Sequence, residues 1–303
     1  MKKPSYFKIL ENGTLDKRIE EAYDILTHCC LCPNNCGVDR RKEEGNCRSR
    51  ITPMISSFNP HHGEEPPISG ISGSGTIFFT NCTLHCCFCQ NYPISQMGTG
   101  SKRTVEELAD MYLYLQAKHC HNINFVTPTH FVPQILKALK IAVSRGFNLP
   151  LVYNSSGYDS LKTLKLLDGV IDIYLPDMKY GSNENGLQYS KVQNYSDHNR
   201  IAIKEMFSQV GALETTRDGV AVKGLIIRHL VLPYNISKSK EILKFLKEEV
   251  GTEMTLSIMA QYFPAYKAVD DKRLKFKITP QEYKVIIDHA LTLGFKNILG
   301  QEI

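Results

Sequence analysis

The chain has 303 residues, 42% of them hydrophobic, and a formal net charge of +5 at pH 7. That length can bury a sizeable core, as one large α/β domain or two smaller ones, and so mild a basic balance, with no long run of Lys or Arg, argues against a nucleic-acid binder. The start, MKKPSYFKILENGTLDKRIEE, lacks the apolar stretch of a signal sequence, and no run of about 18 apolar residues occurs, so a soluble cytoplasmic protein without a membrane partner is expected.

Nine of the ten cysteines fall between residues 29 and 89. In a reducing compartment such crowding points to metal rather than to disulfides. Only Cys120 stands apart, at the end of a helical pattern, as a packed residue. Residues 1–70 are read as a cysteine-rich metal module and connector. Cys29, Cys32, Cys36 and Cys47 give C-x2-C-x3-C-x10-C, with Cys30 squeezed between and Pro33 and Gly37 turning the chain around them. Four such thiols can enclose zinc or an iron-sulfur cluster, and the sequence does not separate the two. A cluster would relay an electron, whereas zinc would staple a segment too short to fold alone. The turn-rich NPHHGEEPPISGISGSG follows, and its His61, His62, Glu64 and Glu65 are read as solvated groups of a connecting loop rather than as a metal site.

Over residues 71–303, β-rich runs alternate with amphipathic patterns. Strands are expected at TIFFTN (76–81), INFVT (123–127), PLVYN (150–154), IDIYL (171–175), GLIIRHLVL (224–232) and MTLSIM (254–259). Between them TVEELADMYLYLQAKH, VPQILKALKIAVSRG, SKEILKFLKEEVG and PQEYKVIIDHALTLG open and close as capped helices do. The Tyr and Leu spacing in the first of these is that of a core face. Strands each followed by a helix predict a parallel sheet, curled into a whole or partial barrel or doubly wound. Either architecture places chemistry beyond the strand C-termini.

That is where CTLHCCFCQ falls, beginning directly after the first strand. Cys82, Cys86 and Cys89 form C-x3-C-x2-C, with Cys87 as a spare. Three thiolates on a short loop can each ligate one iron of a four-iron cubane and leave the last iron open. The alternatives are a buried apolar loop, or zinc completed by a ligand such as His85.

The spacing, the aromatic Phe88 before the last cysteine and the position after a first strand resemble the signature of radical S-adenosylmethionine enzymes. The resemblance implies a partial (β/α)6 barrel, a 4Fe-4S cluster and S-adenosyl-L-methionine. It also implies reductive cleavage of that cofactor to a deoxyadenosyl radical, which takes hydrogen from a substrate. The run GEEPPISGISGSGTIFFTNCTLHCCFCQNYPISQ, with CCLCPNNCG, NFVTPTHFVPQI, YNSSGYD, YLPDMKY, IIRHLVLP and MAQYFP, is similar to the subgroup related to pyruvate formate-lyase activating enzymes. This likeness covers nearly the whole chain. It implies an oxidoreductase served by an electron donor such as a flavodoxin or ferredoxin, with a glycyl radical protein as the suggested substrate and a small molecule or other peptide left open.

By the same resemblance Asp177 and Lys179 lie near the cofactor's methionyl end, and Asn154, Ser156 and Gly157 replace a Thr-Asn-Gly turn, with Asn154 serving the ribose. Arg228 pairs with a carboxylate, and Phe88 belongs to the cofactor's surroundings. Activating enzymes hold the cofactor's amine with a Gly-Gly-Glu segment after the second strand; this chain has VTPTH there. Thr127, Thr129 or His130 would take over that task, or else cap the next helix. The GEEPP segment precedes the cluster and cannot be aligned onto it. A reading from another class is a noncatalytic iron-sulfur or zinc protein that carries electrons or binds a partner.

Overall fold

The computed structural model describes residues 3–300. Its strands are β1 (Met54–His61), β2 (Ser74–Phe79), β3 (Ser101–Lys102), β4 (Ile123–Val126), β5 (Leu151–Asn154), β6 (Ile173–Tyr174), β7 (Glu214–Thr215), β8 (Ala221–Leu230), β9 (Thr255–Met259) and β10 (Ile298–Leu299). They form one sheet in the order β10-β9-β8-β6-β5-β4-β2-β1-β3, with β7 paired to β8. From β2 to β10 every neighbouring pair on that path is parallel, and each new strand is added on the same side. A doubly wound sheet reverses its order at a switch point; this one does not.

The parallel strands β2, β4, β5, β6 and β9 are short, largely apolar and buried on both faces, as parallel strands covered by helices must be. In β4 and β5 seven of eight residues are buried. The helices expected between strands form at Val105–Ala117, Val132–Ser144, Ser239–Glu249 and Pro280–Thr292. Two of them begin with a reciprocal cap: the Thr104 hydroxyl accepts from Glu107 N while the Glu107 carboxylate accepts from Thr104 N, and Thr279 with Glu282 repeats the arrangement.

Among the elements outside the expectation, three belong to the N-terminal segment. Helices Tyr6–Glu11 and Thr14–Ile25 place Tyr6, Leu15, Ala22 and Ile25 in the same core as Phe125 and Tyr153. Burial of Leu15 and of Ile25 contributes roughly 1.5–3 kcal/mol each. The Tyr6 hydroxyl donates to Leu149 O at 3.0 Å, which ties this segment to the start of β5. The third element, β1, pairs antiparallel with β2, His61 opposite Ser74, within the stretch expected to be a connector.

Candidate active site

Beyond the C-terminal ends of β2, β4, β5 and β6, four loops converge on a cavity of about 470 Å³, which Arg228 of β8 also lines. The first is the cysteine loop. Asn81, at φ +71°, turns the chain off β2, and its side-chain amide donates to Arg48 O at 2.9 Å. His85 N and Cys87 N donate to Ser190 O and Tyr189 O, both at 2.9 Å, which fastens the loop to helix Asn183–Ser190. The Cys82, Cys86 and Cys89 side chains line the cavity; Cys87 lies outside it, against the aromatic cluster of Tyr158, Tyr180 and Tyr189. His85 is spent elsewhere, its ring nitrogens 3.1 Å from Asn46 O and 3.4 Å from Gln96 Oε1, so it does not complete a zinc set here. Phe88 is buried edge-on to Tyr180 and Tyr262 and faces a smaller adjoining cavity.

Burial pushes the Cys82 and Cys86 thiols up to about 12, so without a cation they stay protonated. A metal reverses this, because a coordinating thiol is deprotonated outright. Three convergent thiols, with no fourth cysteine lining the cavity among the described residues, fit a cubane that keeps one iron open.

The second and third loops follow β5 and β6. Asp177 N donates to Ser155 O at 2.9 Å and Met178 N to Arg228 O at 2.7 Å, extending the ladder past the strand ends. Gly157 has φ +68°, and a Cβ there would meet Asp177 O at 2.2 Å, so no other residue fits this crossing. Helix Tyr195–Val210 locks both loops. The Tyr195 hydroxyl donates to Ser156 O at 2.8 Å and accepts from Lys179 N at 3.0 Å, while Asn199 Nδ2 donates to Asp177 O at 2.9 Å.

Asp177, Lys179 and Arg228 form one charge network at the cavity wall, each side chain about one-fifth exposed. Lys179 Nζ pairs with Asp177 Oδ2, and Arg228 Nε lies 3.3 Å from Asp177 Oδ1. Burial alone would raise the Asp177 carboxyl, but Lys179 and Arg228 outweigh it and hold the group below its ordinary range. Arg228 Nη1 reaches Asn154 Oδ1 at 3.5 Å. The structure thus brings the three cluster cysteines, Asn154, Ser156, Asp177, Lys179 and Arg228 to one cavity.

The VTPTH segment divides. Thr127, at φ +58°, lines the cavity. Thr129 does not, since its hydroxyl donates to the buried Asp159 at 2.7 Å, alongside Tyr153 and Ser155. His130 is buried with Nε2 2.9 Å from Thr80 O, and burial lowers its pKa to about 3.

The expectation of a solvated loop at Glu64 and Glu65 is corrected. Both side chains are 8% exposed and line the cavity, Glu65 Oε1 lying 3.5 Å and Glu64 Oε2 3.9 Å from Arg228. Ser257 Oγ on β9 donates to Glu65 Oε1 at 3.0 Å, so residues 62–66 bridge the interior from β1 to β9. Sequence reasoning also missed Tyr195 and Asn199, which carry no motif and act only through the fold.

The N-terminal cysteines sit against the cysteine loop. Asn34 Nδ2 donates to Thr83 O at 2.8 Å and Arg48 Nη2 to Ser95 O at 2.7 Å. The Cys36 and Cys47 sulfurs both face Gly45, and burial together with the neighbouring cysteines raises the Cys32 thiol. Arg40 is fully buried with Nη1 3.8 Å from Cys29 Sγ, and no carboxylate of the described residues pairs with it. Among the described residues no group of three or more His, Cys, Asp or Glu is arranged about a single metal ion. No helix among them is long and apolar enough to cross a membrane.

The family model described as the radical SAM superfamily matches residues 76–246. MJ0674, an uncharacterised protein of Methanocaldococcus jannaschii, is 33% identical over 295 residues, covering 93% of this chain and 78% of its own. The FeFe-hydrogenase maturase HydG from Carboxydothermus hydrogenoformans superposes with a TM-score of 0.53 at 14% identity over 76% of this chain and 54% of its own, so the chain spans about half of it. A radical SAM methyltransferase from Sphaerobacter thermophilus gives a TM-score of 0.51 at 10% identity, over 84% and 78% of the two chains. At these identities the structural likeness is one of fold.

Proposed function

The chain belongs to the radical SAM superfamily, and from that premise we propose that it reductively cleaves S-adenosyl-L-methionine at a 4Fe-4S cluster held by Cys82, Cys86 and Cys89. The observation that carries this reading is that three cysteines, and not the spare Cys87, share one cavity with the Asp177, Lys179 and Arg228 network at the C-terminal ends of parallel strands. When bound, cluster and cofactor supply a deoxyadenosyl radical for hydrogen abstraction. The chain's own groups bind and orient: the Asp177, Lys179 and Arg228 network presents its charges to the cofactor's methionyl end, Asn154 and Ser156 offer polar contacts to a ribose, and the aromatic wall of Phe88, Tyr180 and Tyr262 keeps water from the loop. The monotonic strand order and the bridge from Glu65 to Ser257 support a partial barrel.

The subgroup reading is that of a relative of pyruvate formate-lyase activating enzymes, served by a flavodoxin or ferredoxin and acting on a glycyl radical protein. Its support is the set of motifs quoted above. A second metal, zinc or iron-sulfur, at Cys29, Cys32, Cys36 and Cys47 belongs to the same reading. The support there is Arg40, a buried cation that no carboxylate of the described residues pairs with and whose Nη1 lies 3.8 Å from Cys29 Sγ, where a metal-bound thiolate would supply the opposite charge.

Anaerobic reconstitution with dithionite and S-adenosylmethionine tests the core of this reading. Deoxyadenosine release is expected; intact cofactor beside a reduced cluster would instead favour an electron carrier. Deuterium transfer from labelled candidate substrates into deoxyadenosine then identifies what loses hydrogen.

A further inference from the structure

Glu64 and Glu65 enter the cavity from the end of the sheet opposite the cysteines. The last residue of β1, His61, lies opposite Ser74, the first residue of β2, and the cysteine loop leaves from the other end of β2. That strand has six residues, so the two ends are separated by roughly 17 Å. The backbone of Glu64 and Glu65 thus starts at the far end, and their carboxylates reach inward as far as Arg228, so they face the inner part of the cavity, between that end and the Asp177 network.

Their charges are incompletely matched within the protein. Arg228 is shared among three carboxylates, at 3.3 Å from Asp177, 3.5 Å from Glu65 and 3.9 Å from Glu64, and Lys179 is taken by Asp177. His61 Nδ1 serves Glu64 Oε1 at 3.0 Å. Ser257 serves Glu65 Oε1, but Glu65 Oε2 is buried with no hydrogen-bond partner. A carboxylate oxygen in such surroundings is costly unless a charged donor reaches it, and the open space beside it is the cavity.

We propose that Glu65, supported by Glu64, anchors a primary ammonium group of the substrate, so that the molecule losing hydrogen is a cationic amine. This rests on the reading above that the cavity is the place of reaction. The ammonium would donate to Glu65 Oε2 and place the attached carbon chain along the cavity, with its other end toward the cysteines. Both a free alkylamine and a lysine side chain carry this group.

The test is calorimetric titration of the anaerobically reconstituted protein, with S-adenosylmethionine present, by n-butylamine, by the neutral n-butanol and by the peptide acetyl-Gly-Lys-Gly-amide. A charge-assisted bond predicts that the amine or the peptide binds at least about tenfold more tightly than the alcohol, that Glu65→Gln removes the preference, and that cofactor affinity stays within about twofold. Tighter binding of the peptide than of butylamine assigns the ammonium to a side chain, and the reverse order assigns it to a small molecule. Equal binding of amine and alcohol to the unsubstituted protein would overturn the proposal without reference to any variant. So would a preference that survives Glu65→Gln, or a tenfold loss of cofactor affinity in that variant, which would give the carboxylate to the cofactor. If S-adenosylmethionine itself fails to bind, the parent reading fails while the amine titration still reports on Glu65.

Discussion

Replacing Arg40 by Met asks whether the N-terminal cysteines hold a metal. The guanidinium is fully buried, and Nη2 donates to Arg50 O at 2.7 Å and to His130 O at 3.2 Å, while Nη1 points at Cys29 Sγ at 3.8 Å. Loss of two charged hydrogen bonds costs roughly 1.5–3 kcal/mol each, and relief of burying an ion returns several kcal/mol, so with neutral thiols the two effects nearly cancel. With a metal-bound thiolate a third effect enters. Opposite charges 3.8 Å apart at an effective dielectric constant of about 20 attract by about 4 kcal/mol. Arg40→Met should therefore leave the metal-free protein within about 1 kcal/mol of the parent and weaken metal retention by up to about a thousandfold. Anaerobic competition with a chelator, read alongside denaturant midpoints of loaded and stripped protein, measures both. If the substitution shifts loaded and stripped protein equally, Arg40 is not the counter-ion of a thiolate centre and the second metal loses its support.

Three other outcomes follow from the site. Cys82→Ala, Cys86→Ala and Cys89→Ala should each lower deoxyadenosine formation by more than about a thousandfold, whereas Cys87→Ser should keep the cluster's absorbance; a dead Cys87→Ser would reverse the ligand assignment. Tyr195→Phe strands Ser156 O and Lys179 N without a partner, at roughly 1–3 kcal/mol each, and should lower the denaturant midpoint together with cofactor affinity; calorimetry with S-adenosylmethionine checks the second effect. Burial holds His130 down at about 3 and His229 at about 4, the latter between Met178 O and Ser239 Oγ, so both stay neutral when folded. Their stabilisation is complete above the unfolded histidine value of about 6.5 and is lost as pH falls toward the folded values, at about 1.4 kcal/mol per pH unit for each. Denaturant midpoints that stay flat from pH 7 to 5 would contradict this.

What the sequence disclosed and what it hid divide along chain distance. The run INFVT, read as a strand over 123–127, folds as Ile123–Val126, because a short apolar β-branched run needs only cover on both faces, and the flanking helical pattern supplies it. The cysteine loop was legible for the same reason: ligand spacing is local, and its place after a strand follows from β2 alone. By contrast, β1 contains Asn59 and Pro60, residues that strands usually avoid, and forms because β2 and β3 pair with it. The helix at Thr14–Ile25 gains its stability from packing on the helices at Val132–Ser144 and Leu161–Leu167, and the helix at Tyr6–Glu11 packs on it in turn, which no local pattern announces.

Glu65 is the extreme case. Its partners, Arg228 and Ser257, lie 163 and 192 residues further along the chain, and in sequence GEEPP has the composition of any exposed turn. Only when the fold brings Arg228 of β8 and Ser257 of β9 against Glu65 do these carboxylates become buried, and only then does their charge need an answer. Chemistry written in adjacent residues can be read before folding. Chemistry that depends on which distant strands come to face each other is created by the topology, and here that includes the carboxylate pair expected to select the substrate.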